Sequence, residues 1–269
     1  RTFARVSKRD IFEATGLQFM QFNSLFQLVA MQESGSSALK AAETLLFMPD
    51  LFNFLFTGVR KCEYSITSTS QKDDPRRKNW AFDLLNRLQL PTHILPEIVA
   101  AGTVLGPIRK DVAEECGVGG IPVIAPATHD TGSAVAAVPA EGDDWCYISS
   151  GTWSLMGLEL PGPIIDGKVA EYNYTNEGGV GGTIRFLKNI MGLWPLQECR
   201  RHLVGPRDFF DLETPRLDHL TLCRVQADRV QLVSRRNRED RFPSALRAVD
   251  RPLDVCLGAV HRVIVGRQR

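Results

Sequence analysis

The chain has 269 residues, 43% of them apolar, and a formal net charge of +1 at pH 7, enough for one large domain or two smaller ones. So balanced a charge points to no nucleic acid or other strongly electrostatic partner. With no run of about eighteen apolar residues and no signal peptide visible, neither membrane insertion nor secretion is expected, and the cytoplasm is the default location.

Apolar positions recur at helical spacing over residues 24–32 and 37–47, with Gly35 between them. A further apolar helix is expected over 49–55, stopping at Gly58. Residues 64–70 (YSITSTS) are rich in β-branched and hydroxyl side chains, and a charged turn, KDDPRRKN, leads into a helix over 82–89. Arg76, Arg77 and Lys78 lie beside Asp73 and Asp74, which makes this run a solvated loop rather than a nucleic-acid patch. Residues 95–105 read as loop and strand, 109–116 as a helix ended by Gly117, and 121–127 as a buried parallel strand. AEGDDW at 140–145 is a polar linker where a domain boundary is expected, separating 1–139 from a second domain that starts at 146. Strand patterns at 146–150 and 153–158 flank a Gly-Thr turn, and 185–201 (RFLKNIMGLWPLQECRR) reads as helix-like. Alternating α and β elements make this an α/β protein. The six cysteines, Cys62, Cys116, Cys146, Cys199, Cys223 and Cys256, are scattered without a C-x-x-C pair, and free thiols are expected.

The chemistry concentrates in residues 121–158. His129 and Asp130 fall at the start of a small-residue helix. There the positive end of the helix dipole and the free N–H groups keep a carboxylate ionised and able to accept a proton from a hydroxyl. A plain Asp N-cap fits the same dipeptide. A zinc role for His129 and Asp130 is disfavoured, since no H-x-x-x-H pattern or second His lies nearby. Gly151 and Thr152 offer unblocked backbone N–H groups and a hydroxyl suited to phosphate oxygens, an ordinary tight turn being the alternative. Asn189 and Gln197 lie eight residues apart, so on a straight helix they project from similar faces, where solvated side chains are the plainer reading. Gly178, Gly179, Gly181 and Gly182 match neither a P-loop nor a dinucleotide fingerprint and read as a tight turn between strand and helix.

Five longer words carry a family resemblance: TGLQFMQFNSLFQL (15–28), LPEIVAAGTVLG (95–106), ATHDTGSAVAAVP (127–139), SSGTWSLMGLE (149–159) and NEGGVGGTIRFLKNIMGLW (176–194). In this order they resemble the FGGY family of sugar kinases, and closely its branch acting on L-rhamnulose, from residue 15 to about 201. The resemblance implies a ribonuclease-H-like, actin-like ATPase fold of two α/β lobes with substrates in the cleft between them. It also implies ATP-dependent phosphorylation of L-rhamnulose at the O1 hydroxyl, with Mg²⁺. By the same resemblance Asp130 is the catalytic base, and His129, Asp130, Thr131 and Asn189 contact the sugar. Gly151, Thr152 and Gln197 then contact ATP, and no protein metal ligand is assigned. Pro195 stands where the family has an aliphatic residue and removes a helix hydrogen bond between Asn189 and Gln197.

No segment here corresponds to the family's opening glycine-rich phosphate turn or its late adenosine loop. An incomplete two-lobe kinase with impaired activity is therefore expected; a non-catalytic remnant and a kinase for another ketose stay open. Residues 1–200 carry eight Lys and ten Arg, whereas 201–269 carry fourteen Arg and no Lys. The recognisable words end at the same place, so a shifted reading frame near Arg201, or a divergent basic tail, is expected over 201–269.

Overall fold

The computed structural model describes residues 1–140, 142, 145–150, 153–192 and 262–266. The chain divides into two compact units, Arg1–Gly192 with His261–Arg269, and Leu193–Val260; the described residues belong to the first. Gly151, Thr152 and Gln197 lie outside the described residues, as does nearly all of the Arg-rich segment.

Two short helices open the chain, α1 (Thr2–Arg5) and α2 (Lys8–Thr15). The Ser7 hydroxyl caps α2 by accepting from the Asp10 amide at 3.1 Å. The helices α3 (Ser24–Glu33), α4 (Ser37–Ala41) and α5 (Met48–Thr57) follow. The second is shorter than its apolar run because the chain turns extended at Ala42. Pro49 sits in the first turn of α5, where its missing N–H costs nothing, and Gly58 ends the helix in the left-handed conformation, as its position suggests.

β1 (Cys62–Glu63) runs directly into α6 (Tyr64–Thr67). Despite its β-branched content this segment takes a helical turn, because the Glu63 carboxylate accepts the Ser65 and Ile66 amides at its head. β2 (Asp73–Asp74) and β3 (Asn79–Trp80) bracket the charged turn, and α7 (Phe82–Arg87) follows. β4 (Ile98–Val99) pairs parallel with β1. β5 (Val104–Pro107), α8 (Lys110–Cys116) and β6 (Pro122–Ile124) complete the first half. The expected buried parallel strand over 121–127 is corrected here: only 122–124 is strand, it pairs antiparallel with β5, and Ile124 is 50% exposed. Pro122 has no N–H to donate, so the strand suits a sheet edge and not a sheet centre.

After α9 (Asp130–Ala136) the chain builds one antiparallel sheet from β7 (Cys146–Ser150), β8 (Trp153–Leu160), β9 (Thr175–Gly178), β10 (Ile184–Met191) and β11 (Arg262–Gly266). Their spatial order is β11-β7-β8-β10-β9, and α10 (Gly167–Glu171) lies in the connection from β8 to β9. The helix expected from residue 185 is a strand through Met191, paired along its whole length with β8. An eight-residue ladder with Ile184 and Leu187 wholly buried outweighs the helical spacing of the same apolar residues. The turn at Gly178–Gly182 accordingly joins two strands, through a 3₁₀ turn at Val180–Gly182.

The main core packs α2, α3 and α7 around Ile11, Leu25, Leu28, Leu84, Leu85 and Leu88. A smaller one joins Val135 of α9 to Tyr147 of β7 and Leu187 of β10. That second cluster seats α9 against the sheet.

Candidate active site

The head of α9 is built from three directions. His129 holds the cap position, with extended backbone and no capping side-chain bond, so Asp130 is the first helical residue and not the cap itself. One Asp130 carboxylate oxygen accepts the Thr131 amide at 2.6 Å, and the side chain is 66% exposed. A carboxylate that accepts an amide at a helix start stands at the positive end of the helix dipole. Thr131 is buried, with its hydroxyl 3.4 Å from the same Asp130 oxygen.

The His129 ring lies between two acids. Its Nε2 is 3.9 Å from Asp130 Oδ1, and its Nδ1 is 3.9 Å from Glu177 Oε2. Burial lowers the imidazole pKa below its ordinary value, more than the attraction of Glu177 raises it. The ring is therefore neutral at pH 7, and both contacts are those of a dipolar ring rather than ion pairs. Glu177 is held by Arg185, its cross-strand partner in the β9–β10 ladder, at 3.2 Å. Arg185 is wholly buried and also donates to the Gly178 carbonyl at 2.9 Å.

Glu63 escaped the sequence reading. It is 1% exposed, and besides capping α6 it reaches 65 residues along the chain to accept the Thr128 amide at 3.0 Å and the Thr128 hydroxyl at 2.8 Å. The Ser65 hydroxyl, itself bonded to Glu63, accepts the His129 amide at 3.0 Å. A single acid followed by a hydroxyl-rich run carries no motif, so only the fold reveals it.

Asn189 stands on β10 and its amide donates to the Gln18 side-chain oxygen at 2.7 Å. It shares a strand face with Arg185, four residues away, since alternate residues point the same way. The structure thus gathers His129, Asp130 and Thr131 with Glu63, Glu177 and Arg185, and places Asn189 beside Gln18. Flanking Gly151 and Thr152, the Ser150 and Ser154 hydroxyls lie 3.2 Å apart across the β7–β8 ladder. Among the described residues no cluster of three or more His, Cys, Asp or Glu forms a metal site, and no helix is long and apolar enough to cross a membrane. Cys62, Cys116 and Cys146 are free thiols.

Comparison with known proteins gives this geometry a context. The chain is 46% identical over 198 residues to a rhamnulokinase of Bacteroides thetaiotaomicron, covering 74% of this chain and 41% of that protein. It is 44% identical over 209 residues to a rhamnulokinase of Oceanobacillus iheyensis, covering 78% and 44%. The chain thus spans about two fifths of the length of these curated relatives. Among solved structures, a gluconate kinase from Lactobacillus acidophilus superposes with a TM-score of 0.66 at 17% identity, covering 82% of this chain and 44% of that one. A ligand-bound xylulose kinase from the same organism gives 0.65 at 17% identity, covering 74% and 40%. These establish the fold, the actin-like ATPase fold of sugar kinases. The model of the FGGY family of carbohydrate kinases, N-terminal domain, matches residues 3–137, and that of the C-terminal domain matches residues 146–236. With both domains matched in order, the chain belongs to the FGGY family of carbohydrate kinases.

Proposed function

We propose that this chain is part of a rhamnulokinase, which transfers the γ-phosphoryl group of ATP to the O1 hydroxyl of L-rhamnulose and releases ADP. The observation that carries the reading is the exposed Asp130 carboxylate at the head of α9, bonded to the Thr131 amide with a neutral His129 beside it. Asp130 takes the O1 proton as the hydroxyl oxygen attacks the γ-phosphorus and the bond to the ADP oxygen breaks. Positioning and charge neutralisation supply most of the acceleration in such transfers. His129, neutral, both donates and accepts hydrogen bonds to sugar hydroxyls, and Asn189, with its amide N–H held by Gln18, presents its carbonyl oxygen to the sugar.

ATP arrives as its Mg²⁺ complex, and the ion offsets phosphate charge. Gly151, Thr152 and Gln197 are the proposed nucleotide contacts. Residues 1–139 form part of the first lobe in this reading and 146–200 belong to the second, in a cytoplasmic enzyme.

Binding and turnover of a ketose panel test the proposal. L-rhamnulose is expected to bind best, with affinity weakened by His129→Ala. Sugar-dependent ADP release is expected to fall about two to four orders of magnitude in Asp130→Asn, with much less change in sugar affinity. Preference for another ketose would move the substrate, and equal turnover in the Asn variant would remove Asp130 from its role.

A further inference from the structure

We propose that Glu63 is a positioning residue, a carboxylate clamp that fixes the Thr128–His129 backbone and so aims Asp130. The clamp stands on geometry alone; its catalytic consequence rests on the role proposed for Asp130.

Both oxygens of Glu63 are acceptors. Oε1 takes the Ser65 amide at 2.9 Å, while Oε2 takes the Thr128 amide and hydroxyl and the Ser65 hydroxyl. Ser65 then passes the connection on, its oxygen accepting the His129 amide at 3.0 Å. Two consecutive backbone amides, those of Thr128 and His129, are thus held by one buried acid and its partner, immediately before the helix that carries Asp130. The loop has a second tie in Ser133, whose hydroxyl donates to the Ala127 carbonyl at 2.6 Å.

The arrangement calls for a carboxylate. A glutamine of the same shape has one acceptor oxygen and one NH₂ group, and backbone amides cannot reverse their polarity. Turned one way, the NH₂ opposes the Ser65 amide; turned the other, it opposes the Thr128 amide. In a site this buried a donor facing a donor is costly, and charge-assisted bonds are lost as well.

Amide hydrogen exchange on the full chain reads the clamp without turnover. In Glu63→Gln the Thr128 and His129 amides are expected to exchange about ten-fold faster or more, with the Leu187 amide of β10 unchanged. Unchanged protection at 128 and 129, or an equal rise at Leu187, would overturn the proposal. The second result would mean that Glu63 merely holds up the fold. Should Glu63→Gln not fold, Thr128→Val removes one bond only and should give a rise of a few-fold at 128 and 129; no rise overturns the proposal. In the sugar assay Glu63→Gln lowers kcat about ten- to a hundred-fold with the ATP KM unchanged. If the chain binds no L-rhamnulose while the exchange result holds, the substrate reading fails and the clamp stands.

Discussion

Asp50 shows how one buried acid supports the next. Its Oδ1 accepts the Glu63 amide at 3.0 Å, so it fixes the backbone of the residue that reaches Thr128. Burial pushes the Asp50 pKa up to about 6, and the neighbouring Glu63 charge adds to the rise. A carboxyl group whose pKa is raised by folding binds more protons folded than unfolded between its ordinary value and about 6, so it makes stability fall as pH rises through that window. Asp50→Asn keeps an oxygen for the Glu63 amide and cannot ionise. The stability difference between variant and wild type, from urea unfolding at several pH values, should shift in favour of Asn from about pH 4 to about pH 6 and then level off. A difference that does not vary with pH would show that Asp50 ionises as freely in the fold as in water. His129 and Asp130 stood out in the sequence because they fall within a family word, ATHDTGSAVAAVP, the dipeptide alone fitting a plain N-cap equally well. Asp50 and Glu63 did not, because nothing local distinguishes a buried acid from a surface one.

At the scale of elements, β8 depends on having no side chain at Gly157. This glycine lies between Tyr147 of β7 and Leu187 of β10, both wholly buried. A Cβ at Gly157 would come within 2.6 Å of Leu187 Cβ, 2.7 Å of the Tyr147 hydroxyl and 2.8 Å of the Phe186 carbonyl oxygen. A backbone atom is among these, so rotamer changes alone give no relief. Gly157→Ala should destabilise by about 1–3 kcal/mol, read as a lower urea midpoint at constant slope. A midpoint equal to wild type would mean that the β7–β8–β10 layer repacks freely. The strand at residues 184–191 belongs to the same sheet, and its helical spacing was misleading for a definable reason. Ile184, Leu187, Ile190 and Met191 fall at helical intervals, yet β8 supplies a cross-strand partner to every position along Ile184–Met191. Periodicity does not count the hydrogen bonds waiting on a neighbouring strand.

Across the whole described unit, few polar side chains join the part matched by the N-terminal family model to the sheet. Asn176 of β9 is one of them, at 1% exposure. Its amide donates to the Gly16 and Ile164 carbonyls, both at 2.9 Å, and its oxygen accepts the Ile164 amide at 2.8 Å. Gly16, with φ 62°, lets this approach happen, since a Cβ there would stand 2.9 Å from the Asn176 nitrogen. Ser68 adds a bond from the Gly178 amide at 2.7 Å, and Gln18 meets Asn189. Asn176→Ala leaves the Ile164 groups without their partner and should cost about 1–3 kcal/mol in thermal unfolding, with faster amide exchange at Ile164. Unchanged stability would assign the joint to the other contacts.

By itself the sequence determined the family, the α/β class and the ends of α3, α5 and α8, because capping residues, glycines and motif words act over a few neighbouring positions. Tertiary structure alone decided that 185–191 is a strand, that residues 122–124 pair antiparallel at an edge, and that Glu63 and Glu177 stand behind the site. Those outcomes depend on partners as far as 65 residues away, such as Pro107 for Pro122 or Thr128 for Glu63, and a buried acid or a shared strand is defined only once such distant groups meet.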